Sequence, residues 1–149
     1  MGARPEADPV ADCTRRTALA AAVMLLAGGR SNAAEAVDRQ WYEAAAAMRR
    51  LAQSWGDQPY GAVVVFDGAL VGEGPSRVVK NQDADAHAER EAIADAQRRL
   101  GRAGLAGAVL YSTSRPCSLC EAAAARAGIA RMVHGPSLTD AGAPASERR

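Results

Sequence analysis

Gly61-Ala62-Val63-Val64-Val65-Phe66-Asp67-Gly68-Ala69-Leu70-Val71-Gly72 is the stretch whose reading decides the fold. A β-branched run meets Asp67-Gly68, a dipeptide suited to a two-residue turn, and an apolar run returns, so an antiparallel hairpin is expected. Upstream, Trp41, Met48, Leu51 and Trp55 recur near helical spacing with alanines between them, and residues 34–55 read as a packing helix. Downstream, residues 75–85 are polar and aperiodic and read as a loop, with Asp85 placed to cap a helix over 86–100. Residues 107–112 read as a short buried strand, 117–127 as an alanine-rich helix that Gly128 ends, and 129–134 as a last strand. Residues 136–149 read as a flexible tail. Strands alternating with helices after the hairpin imply crossovers, hence an α/β fold with a mixed central sheet between helices.

Composition narrows the functions. The chain has 149 residues, with 18 basic and 17 acidic side chains, which favours one domain and gives no electrostatic footprint for a polyanion. Lys80 is the lone lysine; the other basic residues are arginine. Much of the apolar fraction is alanine and aromatics are only 4%, so the core of large side chains is modest. A metal or an oligomer would help stability.

Chemistry concentrates in His87-Ala88-Glu89 and Pro116-Cys117-Ser118-Leu119-Cys120. A catalytic zinc site takes three protein ligands and leaves one position open for water, whereas a structural site closes all four. His87 in the first turn of one helix, with Cys117 and Cys120 on one face of the first turn of another, supplies three. Both helix N-termini are expected to favour thiolates. Glu89, two residues past His87, is off the ligand's direction yet near enough to shuttle a proton. Hydrolytic deamination follows as the expected chemistry.

The ordered set of motifs resembles the cytidine and deoxycytidylate deaminase superfamily, closest to its guanine deaminase and tRNA adenosine deaminase branch. Its elements are Pro59-Tyr60-Gly61 with the valine strand, Gly72-Glu73-Gly74, Asp83, His87-Ala88-Glu89, Tyr111-Ser112-Thr113 and Pro116-Cys117-x-x-Cys120. The resemblance implies a three-layer α-β-α fold, zinc on His87, Cys117 and Cys120, Glu89 as general acid and base, and backbone around Ala88 helping to hold the base. It also implies a homodimer. Ser76 stands where the branch usually has an asparagine that contacts a purine edge, which leaves the choice of base open. Asp83-Ala84-Asp85 replaces Asp-Pro-Thr, Arg115 replaces the glutamate before Pro-Cys, and the C-terminal helices of many relatives are expected to be reduced. Tyr60, before the first strand, is a candidate to stack on a base, although packing is its simpler role.

The N-terminus reads as an export signal. Arg15-Arg16 precedes eleven uncharged residues, 17–27, too few to span a bilayer, and small residues at Ser31-Asn32-Ala33 and Ala34-Glu35-Ala36 offer cleavage after Ala33 or Ala36. The arginine pair resembles a twin-arginine signal, though Ala18 stands where phenylalanine is usual. The expected organisation is a signal over residues 1–36, a zinc-dependent deaminase domain over 37–135 and the tail. The mature protein would be periplasmic or secreted, without stable membrane insertion. A folded-export route would let zinc be loaded before the thiolates meet oxidant.

The leading reading is a zinc hydrolase that acts on the exocyclic amine of a small guanine-, adenine- or cytosine-type base or nucleoside, with no nucleic-acid partner. The alternative is a non-catalytic exported zinc-binding or C-x-x-C redox module; a tRNA adenosine deaminase ranks lower, because it needs a basic groove. A closed structural zinc completed by His134 ranks lower still, since Glu89 would be left unexplained. Arg98, Arg99 and Arg102 read as a solvated helix end, and Trp41 and Trp55 as core and rim packing.

Overall fold

The computed structural model describes residues 31–146. The arginine pair and the apolar run behind it lie outside the described residues. The element order is α1 (Asn32–Ser54), β1 (Gly61–Phe66), β2 (Ala69–Pro75), α2 (Val78–Asn81), α3 (Ala88–Leu100), β3 (Val109–Ser112), α4 (Ser118–Ala127), β4 (Arg131–His134) and β5 (Thr139–Gly142). The strands form one mixed sheet in the order β2-β1-β3-β4-β5. Only β3 and β4 run parallel, joined by the α4 crossover; the remaining pairs are antiparallel. The three-layer α/β expectation holds.

The hairpin forms where the sequence places it. Asp67 and Gly68 take positive φ angles of 50° and 70°, the turn geometry that matches the twist of the flanking strands. Alternation then splits the core between two faces. Ala62, Val64 and Leu110 pack with Ala88, Ala92 and Ala96 of α3 and with Ala124 and Ala127 of α4. Val63, Val65, Tyr111 and Val133 pack with Tyr42, Ala45 and Ala46 of α1 on the opposite side.

Small residues set the layer spacing. A methyl group on Gly74 would collide with the Ala88 carbonyl and the Ala92 backbone, and one on Gly61 with the backbone of Ala45 and Arg49. Strand and helix backbones therefore touch directly, so the β2 backbone determines where the first turn of α3 stands.

One polar cluster crosses the α1 face. Asp38, 3% exposed on α1, accepts both guanidinium nitrogens of Arg131 at 2.7 and 3.2 Å and the Tyr111 hydroxyl at 2.7 Å. Arg131 Nε also donates to Asp140 of β5 at 2.9 Å. Burial, and then the hydrogen bond to Asp38, push the Tyr111 hydroxyl well above the ordinary phenol range. Helix α1 is thereby fastened to three consecutive strands.

Besides shifts of one to three residues at several element ends, four features differ from the sequence reading. Residues 75–85 are not all loop: Val78–Asn81 make the single turn of α2, whose Lys80 N–H is taken by the Asp57 carboxylate at 2.8 Å. Helix α3 starts at Ala88 with His87 as its N-cap, two residues later than expected. Asp85 does not cap it, because its carboxylate pairs with Arg90 at 2.8 Å. The stretch read as a flexible tail carries β5, so β4 is not the last strand.

Candidate metal centre and its surroundings

Two helix starts converge. His87 and Cys117 are the N-cap residues of α3 and α4, both with extended backbone, which turns their side chains toward the space between the helix ends. Pro116 before Cys117 cannot continue a strand ladder, and Gly128 closes α4 in the left-handed conformation, so local chemistry fixes the ends of α4. Cys120, in the first turn of α4, donates its backbone N–H to Cys117 Sγ at 3.4 Å.

His87 Nδ1 lies 3.7 Å from Cys117 Sγ and 3.4 Å from Cys120 Sγ, and the three donor atoms fall within 4.8 Å of one another. Bonds of about 2.0 Å to nitrogen and 2.3 Å to sulfur at a tetrahedral angle put those donors about 3.5 Å apart. The observed separations bracket that value. One imidazole and two thiols also suit zinc chemically. Among the described residues no fourth histidine, cysteine or carboxylate joins the group. His134, at the end of β4 opposite Ser112 and Thr139, is not part of it.

Electrostatics without the metal run against the expected helix-dipole effect at Cys120. Burial first, and then the negative charge of Glu89, push its thiol well above the ordinary range. A cation between the donors would reverse the balance. Cys117 is exposed and Cys120 buried, and both are free thiols.

Glu89 is 5% exposed in the first turn of α3, and its Oε1 accepts the Ser112 hydroxyl at 2.8 Å. Ala88 is buried against β2, its carbonyl beside Gly74, so its side chain serves packing. Tyr60 is 43% exposed and its carbonyl accepts the Ser76 N–H. Ser76 has no exposed surface, and its hydroxyl donates to Asp57 Oδ1 at 2.9 Å. That hydrogen bond braces the turn before α2. Arg115 is exposed at the approach to Cys117.

Two contributors escaped the sequence reading. Asp57 gathers the Lys80 and Gln58 N–H groups and the Ser76 hydroxyl. Burial opposes its charge, but those hydrogen bonds outweigh it and hold the carboxyl below the ordinary range. The other is Ser112. Period-two alternation from Leu110 is the signal that would have placed it on the α3 side of the sheet, but the sequence does not reveal that Glu89 stands opposite.

The sequence profile described as the cytidine and deoxycytidylate deaminase zinc-binding region matches residues 35–136. The tRNA-specific adenosine deaminase of Buchnera aphidicola subsp. Schizaphis graminum is 34% identical over 103 residues, 69% of this chain and 68% of that protein. Guanine deaminase of Bacillus subtilis is 44% identical over 62 residues, covering 42% of this chain and 40% of that enzyme. A solved structure of guanine deaminase from Bacillus subtilis superposes with a TM-score of 0.62 at 32% identity, over 64% of this chain and 62% of that one.

Proposed function

This chain belongs to the cytidine and deoxycytidylate deaminase family, and on that premise we propose that it is a zinc-dependent hydrolase releasing ammonia from the exocyclic amine of a small base or nucleoside. The observation that carries the reading is the meeting of His87 Nδ1 and the Cys117 and Cys120 sulfurs within 4.8 Å, beside the buried carboxylate of Glu89. Bound there, zinc would act as a Lewis acid and lower the pKa of a water toward about 7.

The chain's own residues supply the rest. Glu89 accepts a proton from the attacking water and passes it to the ring nitrogen beside the amino-bearing carbon, then takes the proton of the newly added hydroxyl and delivers it to the amine as the C–N bond breaks. Water and amine are thereby converted to a carbonyl and ammonia. Exposed Tyr60 offers a ring face for a base.

The near balance of 18 basic and 17 acidic residues favours a small substrate over a phosphate backbone. The second reading, adenosine in tRNA, is supported by the 34% identity to a tRNA-specific adenosine deaminase. Incubating the zinc-loaded protein with guanine, adenine, cytosine, their nucleosides and a tRNA anticodon stem-loop separates the two. Ammonia from a free base or nucleoside alone is expected. Inosine in the stem-loop alone would establish the second reading, and no product from any substrate would leave a non-catalytic metal module.

Export is part of the proposal. Residues 32–37 are all exposed and Asp38 is the first buried position of α1, so cleavage after Ala33 or Ala36 would remove no buried side chain among the described residues. N-terminal sequencing of periplasmic material should begin at Ala34 or Val37; recovery of the intact chain from the cytoplasm alone would remove export from the proposal.

A further inference from the structure

We propose that Ser112 is a positioning residue for Glu89, a role that rests on the deaminase reading and is additional to the metal donors. Ser112 ends β3 between two partners, paired with Ala62 of β1 and His134 of β4. Its carbonyl accepts the Gly135 N–H at 3.0 Å, and the next residue donates its N–H to the Gly61 carbonyl at 2.9 Å. The backbone that carries the hydroxyl is therefore held from both sides, and the side chain is 1% exposed.

The hydroxyl has one direction to give. Its oxygen receives the Ser114 N–H at 3.4 Å, which leaves its hydrogen for Glu89 Oε1 at 2.8 Å. The last torsion of a glutamate is broad and nearly two-fold, so packing alone does not select which oxygen faces a reactant. A donor anchored to the sheet selects it: with Oε1 held by Ser112, the carboxylate keeps one orientation in which to take the proton from water and deliver it. A support built on a central strand holds a catalytic group more closely than one built on a loop.

Kinetics of substitutions at this position test the role. Ser112→Thr retains the hydroxyl, and Ser112→Val has nearly the same shape without it. On whichever substrate the wild-type enzyme deaminates, kcat of the valine variant should fall about 10- to 100-fold below that of the threonine variant, with KM within about twofold and zinc content equal. Equal kcat values for the two variants overturn the proposal, as does a loss that follows zinc content.

A second measurement does not depend on turnover. In zinc-free protein, the urea midpoints of Ser112→Ala, Glu89→Ala and the double variant should be non-additive if the hydroxyl engages the carboxylate. Additive shifts overturn the contact. A wild-type chain that deaminates nothing, yet shows the coupling, would sink the deaminase reading and leave the placement of Glu89 standing.

Discussion

Glu89→Gln should reduce ammonia release by about 10²- to 10⁴-fold, the range that proton transfer by a placed side chain contributes, while the zinc content of the protein stays at its wild-type level. The amide matches the carboxylate in shape, and its carbonyl oxygen still accepts the Ser112 hydroxyl that now sits 2.8 Å from Oε1. What it loses is the capacity to take a proton and return it. The metal donors come from His87, Cys117 and Cys120, none of which is altered. Metal analysis and an ammonia assay on one preparation check the expectation. Zinc loss in parallel with activity would make Glu89 a structural support for the donors; full activity would falsify the proton-transfer role.

Arg131→Ala should lower the free energy of unfolding by about 3 kcal/mol, the low end of the range for breaking a buried pair. The low end applies because the Arg131 side chain keeps 31% of its surface in water while that of Asp38 keeps 4%. The substitution removes both guanidinium bonds to Asp38 and the link to Asp140, so α1 and β5 lose their common fastening to β4. Urea unfolding of the two proteins reads the difference. A midpoint within error of wild type would mean that the guanidinium's desolvation cancels its attraction to the two carboxylates.

Much of the architecture is local and was legible. Asp67-Gly68 specifies its turn, the valines of β1 alternate between faces, and Gly128 ends α4 by adopting a φ of 79°. Strand β5 was not legible. Thr139, Asp140, Ala141 and Gly142 carry no β-branched run, and the strand exists through pairing with β4 and the Arg131–Asp140 contact. The start of α3 was misread because a capping residue type at Asp85 is indistinguishable in sequence from one that pairs with Arg90 across the turn.

The candidate site divides in the same way. Its donors were legible because the C-x-x-C spacing and the histidine two residues before a glutamate specify helix ends. The Ser112 contact required the register of β3 against β1 and β4, a long-range property. Ser76 shows the converse: it directly follows β2, but its hydroxyl faces inward to Asp57. Such side-chain directions follow from tertiary partners that spacing along the chain does not encode.

Direct backbone contact at Gly61, Gly72 and Gly74 has a consequence for anyone diversifying this protein. A library spread across the layers would consist mostly of collapsed variants, since even one added carbon there meets a peptide group that cannot step aside. Useful variety belongs at Tyr60, Val79, Arg115 and Leu119, whose side chains face solvent and can be enlarged or recharged without disturbing the stacked layers.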